Sequence, residues 1–491
     1  MNKNNDSKTA RYYAGLFLLS VLIVLCFSWT TSPLFFGKYL SFDSQIFQII
    51  GKYWLQGYLP YVDLWDNKGP IIFLINAIGY QLIGNSVGVL LLQIVCLFAS
   101  VVFIYKSFNL FSGPLRSFCL SAVVILSIAI NWDGGNMCEE YLLPLLSAFY
   151  YILLKHLYSI ESDKKKLLYI IAFIGGMILS FSLLTRLTNA CGVCASCGVI
   201  LALLLIDRKW NNLARFAVWF VIGFAILTLP FVIYFASHDA LQEMWYSTVT
   251  YNIEYMNYPK THTVNWLNFY LKDYNCIFLL AAALMLLVLK RDRESLLWAI
   301  TTLAPMIWFV NGTGFGHYGI IVLPYSFVSI ILLLRIIDMN QSAWSRKLAH
   351  AMIGLMLLVI IGGVSFRLFS SYKQFIKTPC KETFTDCFFE ENDIDTNSFV
   401  SYNCDWTLYL RRNIKPGMKY FSFQDELIDH GPSIEDKVYQ AITSSRVKWI
   451  LVGLPIRNER IKQYINDNYV IINQKNRCTL YRLKEDPSVI G

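Results

Sequence analysis

The chain has 491 residues, of which 56% are hydrophobic and 15% charged, with a mean hydropathy of +0.46. Soluble globular domains carry about 25% charged residues, so this composition excludes an ordinary soluble enzyme and makes lipid the solvent for most of the chain. The net charge of +9 lies mainly in short connections between apolar runs, where it anchors a membrane protein and calls for no nucleic-acid partner.

The first apolar run, Tyr12 to Thr31, follows Lys3, Lys8 and Arg11 and lacks a small-residue cleavage site, so it reads as an uncleaved first span. Ser41 to Pro70 then reads SFDSQIFQIIGKYWLQGYLPYVDLWDNKGP. This polar, aromatic stretch holds Asp43, Asp63, Asp66 and Lys68 between apolar segments, and ionisable groups at a membrane face are functional candidates. The isoleucines Ile46, Ile49 and Ile50, with Tyr53 and Trp54, give it an amphipathic start that could hold Asp43 at the interface. Pro70 to Leu82 is short for a span and is interrupted by Asn76 and Gln81, so it is expected to lie in the interface as a helix.

Further runs long enough to cross about 30 Å of hydrocarbon cover Val87 to Tyr105, Leu115 to Asn131, Tyr141 to Leu157, Leu167 to Leu184 and Ala190 to Ile206. Leu213 to Ser237, Cys276 to Leu289, Leu296 to Val310, Gly319 to Ile336 and Ala349 to Phe369 complete the set, giving eleven spans in all. With this count every basic cluster falls on one side: Lys106 and Arg116, Lys164 to Lys166, Arg208 to Arg215, Lys290 to Arg293, and Arg335 to Lys347. Lys and Arg enrichment marks the cytoplasmic loops, so the N-terminus is expected inside. The opposite loops, with Asp43, Asp133, Glu139, Glu140, Glu243 and Glu254 among aromatic residues, are expected outside the cytoplasmic membrane. Counting Pro70 to Leu82 as a span would place Lys164 to Lys166 outside.

Beyond Phe369 the apolar runs shorten and charge rises, so residues 370–491 are expected to form a soluble extracytoplasmic α/β domain beside the membrane domain of 1–369, whose first outer loop covers about 32–86. Strands are predicted at Ser398 to Tyr402, Met418 to Phe423, Val447 to Gly453, Tyr469 to Ile472 and Cys478 to Leu483. Helices are predicted at Ile434 to Ser444 and Ile456 to Asn466. Cys380, Cys387, Cys404 and Cys478 in this domain allow one or two disulfides in an oxidising compartment, with three possible full pairings. Cys191, Cys194 and Cys197 are spaced as CxxCxxC, but they sit among small residues inside a span, where close helix packing is expected and not a metal site.

No Walker loop, GxGxxG, HExxH or GxSxG stands in the chain. A Gly-rich connection from Asn311 leads to His317 and Tyr318, which either form a tight turn between helices or point into an outer cavity and bond a phosphate or sugar. A carboxylate such as Asp43, fixed at the membrane face, could deprotonate an acceptor hydroxyl within hydrogen-bond reach, and Lys68 offers a point charge to a lipid phosphate.

Asp43 followed by GYLPYVDLWDNKGPIIFLINAIGYQLIG and a further span resembles the membrane-embedded glycosyltransferases of the GT-C fold, in particular bacterial relatives of protein O-mannosyltransferases and aminoarabinose lipid A transferases. The resemblance implies an α-helical polytopic protein of about eleven transmembrane helices with a small outer α/β domain. It also implies transfer of a sugar, with inversion, from a polyprenyl-phosphate carrier to a lipid, glycan or protein acceptor at the bilayer. Asp43 then matches the catalytic base and Lys68 the basic residue at the donor phosphate. Asp63, Asp66 and Tyr61 line the same loop and are expected to bind substrate. Glu139 and Glu140 resemble an acidic site that orients acceptor or sugar, with pairing to Arg186 as the structural alternative. Arg186 matches a cation at an outer helix end, and His317 with Tyr318 resembles a late cavity motif. Relatives often show an Asp-Glu pair and a Lys-Pro, where this chain has Asp43-Ser44 and Lys68-Gly69, which leaves the acceptor class open. The aromatic set Tyr53, Trp54, Tyr58, Tyr61 and Trp65 either anchors the loop at the interface or stacks on sugar. No cofactor is implied, and a divalent metal stays open. The alternatives are a transporter or lipid flippase, which would show charges along a through-path and repeat symmetry between halves, or a surface-glycan polymerase or ligase, which would show a large late outer loop.

Overall fold

The computed structural model describes residues 3–35, 42–159, 161–257, 274–311, 315–339, 342–377, 385–430, 434–445, 447–475 and 477–484. Each of the eleven apolar runs coincides with a helix. These are α1 (Lys3–Phe27), α4 (Ser86–Asn109), α5 (Pro114–Ser127), α6 (Cys138–Tyr158), α7 (Glu161–Leu183), α8 (Cys191–Ile206), α9 (Trp210–Ser237), α12 (Tyr274–Lys290), α13 (Arg293–Asn311), α14 (Leu323–Asp338) and α15 (Ala343–Lys377). Between them come α2 (Phe42–Trp54), α3 (Pro70–Ile83), α10 (Leu241–Trp245) and α11 (Tyr251–Asn257). Among the described residues seven helical segments are by themselves long and apolar enough to cross a membrane. The chain is a multi-pass membrane protein.

It divides into two compact units. The first comprises Met1–Leu34, Leu90–Phe231 and His262–Gln374. Chemically matched helix ends collect at opposite poles of this unit. At one pole the end of α6, the start of α13 and the end of α14 meet: the Tyr158 hydroxyl bonds Glu294, Arg335 pairs with Glu294 at 3.0 Å, and the Arg335 guanidinium lies 3.8 Å over the Tyr158 ring. Arg293 pairs with Asp207 at 2.7 Å. Basic residues thus gather with acidic partners at this pole. Within the bundle, backbones approach at small residues. Gly176 and Gly223 each lie so close to the facing helix that an added Cβ would fall 2.0 Å from a carbonyl oxygen, of Phe220 and Phe173 respectively. Cys197 packs on Gly175, where a Cβ would meet its Sγ at 2.8 Å, so this thiol serves helix packing as its neighbours predicted.

The second unit comprises Phe35–Val89, Val232–Thr261 and Phe375–Gly491. Helix α2 buries Ile46, Ile49, Ile50 and Tyr53 and packs on α3. The apolar stripe therefore meets protein, where the sequence suggested the membrane interface. Gly51 permits the contact, since a Cβ there would stand 2.7 Å from the Ala77 amide nitrogen and 2.8 Å from the Phe73 carbonyl. Gly51→Val is expected to push α2 off α3 and cost about 1–3 kcal/mol, read as a lowered thermal midpoint in detergent. Helix α3 begins with Pro70 at its first position, after an extended Gly69, and ends at Gly84 with φ 83°, whose N–H bonds the Tyr80 carbonyl. Pro inside the start and Gly past the end are the usual asymmetry of helix boundaries.

The tail folds as the expected small α/β domain, but with four strands: β1 (Phe399–Tyr402), β2 (Trp449–Val452), β3 (Tyr469–Lys475) and β4 (Cys478–Leu483), in the order β1-β2-β4-β3. β1 and β2 are parallel and the other pairs antiparallel. Helices α16 (Asp386–Glu391), α17 (Leu408–Arg411), α18 (Gln424–His430), α19 (Glu435–Ser445) and α20 (Glu459–Asn468) complete it. Val438 and Ile442 of α19 and Ile461 and Ile465 of α20, each pair four residues apart on one helix face, join Val400, Tyr402, Ile450 and Val452 in the core. The strand expected at Met418 to Phe423 does not form. Its Met418, Tyr420 and Phe421 are buried as a strand's would be, but its Lys419 carbonyl accepts from the Trp65 amide at 3.0 Å, and Phe423 has φ 50°.

Candidate functional site

In the second unit, the loop from Pro60 to Gly69 is wound back on itself. Tyr61 takes φ 71°, which a bulky residue rarely adopts, and is fully buried. Its amide donates to the Leu64 carbonyl at 2.7 Å, and its hydroxyl donates to the Lys68 carbonyl at 2.8 Å. Asp66 Oδ1 accepts from the Lys68 amide at 2.9 Å, Lys68 Nζ donates to Asn67 Oδ1 at 3.1 Å, and Asn252 on α11 holds the Asn67 carbonyl at 2.8 Å. Trp65 is seated in the core of the α/β domain, its ring edge-on to Tyr251 at 4.9 Å and tilted on Tyr420 at 5.5 Å.

Asp66 and Lys68 thus precede the first turn of α3, while Asp43 lies half-buried in the first turn of α2. The two carboxylates and the lysine share one electrostatic neighbourhood. Asp66 is only partly covered at its surface but surrounded by protein atoms; this desolvation holds its pKa above the ordinary carboxylate range, with Lys68 pulling it down and Asp43 pushing it further up. A carboxyl whose pKa is higher folded than unfolded gives stability that is complete below the unfolded value, about 3.9, and is lost as pH rises through the folded one. Asp66→Asn, which keeps the acceptor oxygen, is expected to melt later than the wild type at neutral pH, with the advantage vanishing toward pH 4. Thermal melts across pH check this.

The other residues of this loop have structural duties. Asp63 is exposed and accepts from the Leu59 amide at 2.6 Å, closing its own turn. Trp54 Nε1 donates to the Tyr234 hydroxyl at 2.7 Å, and Lys415 Nζ lies 3.9 Å over the Tyr58 ring. The aromatic set therefore packs the loop into its own unit.

In the first unit, at the pole opposite the basic one, the Arg186 guanidinium reaches Glu139 Oε1 at 3.1 Å and lies 3.0 Å over the Tyr318 ring. Glu139 is 2% exposed and Arg186 18%. His317 Nδ1 stands 3.5 Å from Asp133 Oδ2, and Arg367 Nη2 stands 3.6 Å from the other oxygen of that carboxylate and donates to the Trp132 carbonyl at 2.6 Å. The structure brings Glu139, Arg186, His317 and Tyr318 together. It gives Glu140 a different environment: its oxygens accept from the Asn136 and Met137 amides and from Gln93 Nε2 at 2.8 Å, capping α6 and tying it to α4. The turn that delivers those amides needs Gly135 at φ 79°, where a Cβ would strike Ser28 Oγ at 2.5 Å.

Arg367 and Gln93 escaped the sequence reading. Both interrupt an apolar run, and a charge inside such a run was the available signal for Arg367. For the Gly-rich connection, residues 312–314 lie outside the described residues.

No protein-family model matches the sequence, and no curated protein matches it in sequence. Among solved structures, ArnT from Cupriavidus metallidurans in the apo state is similar with a TM-score of 0.59 at 13% identity, covering 96% of this chain and 98% of that one. The fold is GT-C. The same ArnT bound to undecaprenyl phosphate matches equally, with TM-score 0.59, 13% identity and coverage of 96% and 97%. The GT-C fold expected from the first loop is therefore the fold of the chain, with its small C-terminal sheet.

Proposed function

We propose that the protein is a glycosyltransferase that moves a sugar from a polyprenyl-phosphate carrier to a lipid, glycan or protein acceptor on the outer face of the cytoplasmic membrane, with inversion. The observation that carries the reading is the grouping of Asp43, Asp66 and Lys68 at the starts of α2 and α3 in a chain with the GT-C fold. The solved relative bound to undecaprenyl phosphate supports a donor of that chemical class.

Asp43 accepts the proton of the attacking acceptor hydroxyl. The new bond forms from the acceptor oxygen to the anomeric carbon as the bond from that carbon to the phosphate oxygen breaks. The lipid phosphate leaves with the electron pair and needs cationic compensation. Lys68 supplies a point charge, and Arg186 a planar fork suited to phosphate oxygens. The stacking of Arg186 on Tyr318 and its bond to Glu139 fix that fork in advance. Glu139 is thereby a positioning residue and Glu140 a cap.

Mass spectrometry of polyprenyl-phosphate sugars from cells with and without the gene tests the reading. A lipid-linked sugar should accumulate in the deletion and clear on complementation; an unchanged lipid pool would count against transferase activity.

A further inference from the structure

Within the α/β domain, Cys404 Sγ and Cys478 Sγ stand 3.8 Å apart. Cys404 lies two residues past the end of β1 and Cys478 opens β4, strands that flank β2 on opposite sides and share no ladder. The sulfurs meet across the end of β2. Tyr402 of β1 is opposite Val452 of β2, and Val452 is in turn opposite Thr479 of β4, so both cysteines arrive at the same edge. The chain leaves room for them there: Gly453 follows β2, and a Cβ at that position would lie 2.8 Å from Cys404 Sγ and 2.9 Å from the Asn403 carbonyl. The Gly453 and Leu454 amides bond the Tyr402 and Asn403 carbonyls at 3.3 and 3.1 Å, fixing the backbone under the thiols.

We propose that Cys404 and Cys478 form a disulfide in the mature protein, selecting one pair among those the sequence left open. The inference rests on the proposed placement of this domain outside the cytoplasmic membrane, where disulfides persist. A side-chain torsion brings sulfurs already in contact to the bond length of about 2.05 Å. In chemical terms, a disulfide-bearing oxidant outside the membrane is attacked by one cysteine thiolate to give a mixed disulfide. The second thiolate displaces it, and the oxidant departs as a dithiol carrying the two electrons, with the two thiol protons balancing its charge. The bridge closes the segment 404–478, and with it the core that seats Trp65.

The test traps thiols with N-ethylmaleimide in intact cells before lysis, then digests the unreduced protein with trypsin. Residues 478–482 should be recovered joined to residues 382–411, with nearly all Cys478 in that form and released on reduction. Because the larger peptide also holds Cys387, the Cys387→Ser protein is run in parallel and should give the same joined pair. Alkylated Cys478 as the dominant species in that variant overturns the proposal. A second arm exposes reduced, detergent-purified protein to glutathione disulfide. Closure there but not in cells refutes the bridge together with the outer placement; failure in both refutes the pairing and leaves the placement standing.

Discussion

Replacing Asp43 by asparagine is expected to leave the protein folded and to lower sugar transfer by about 10²–10⁴-fold, the usual contribution of a general base. The carboxylate is half-buried in the first turn of α2. The asparagine amide fills the same space and can still accept a hydrogen bond, so what is lost is the capacity to take a proton. Complementing deletion cells with Asp43→Asn and following the polyprenyl-phosphate sugar by mass spectrometry gives the answer. Persistence of the lipid-linked sugar fits the assignment. Normal clearance would remove Asp43 from the reaction while leaving the transferase reading to stand or fall by the deletion itself.

The second large effect is expected at Arg186. Truncation to alanine leaves Glu139 buried without its ionic partner, and breaking a buried pair from one side costs about 3–5 kcal/mol. A loss of activity in Arg186→Ala alone would therefore say little about phosphate. The double variant Arg186→Ala/Glu139→Gln separates the two roles, since it removes the stranded charge. Its thermal midpoint should recover most of the way to the wild type, while transfer stays low. Recovery of transfer along with stability would make Arg186 a structural cation only. Arg186→Lys retains charge but neither the fork nor the flat surface that lies over Tyr318, and is expected to fall between the wild type and the alanine variant in activity.

Much of this was legible in the sequence because the bilayer imposes simple constraints. Runs of apolar residues must become helices when no water is available to the backbone, and all eleven did. Tyr158, Glu294 and Arg335 gather at one pole of the bundle, and Glu139, Arg186 and Tyr318 at the other. Local signals succeeded where the chemistry was local, as at Pro70 and Gly84. They failed where a distant segment claimed the group. Met418 to Phe423 has the composition of a strand, but Trp65, more than 350 residues earlier in the chain, takes its backbone. Glu139 and Glu140 are neighbours in sequence and equivalent in composition, yet only one faces the arginine, because a helix turns by about 100° per residue.

The seating of Trp65 bears on how such proteins can be shortened or recombined. A break in the chain after the last membrane helix looks like a natural seam, because composition changes there and the tail has a sheet of its own. Yet the tail's apolar interior includes an indole from the first loop and Tyr251 from α11. A tail expressed alone would present an open socket, and a membrane part without it would leave a tryptophan in water two residues from Asn67 and three from Lys68. Grafts between homologues should therefore exchange the first loop, the α10–α11 segment and the tail together. Substitutions in any one of these should be matched by changes in the other two over evolutionary time.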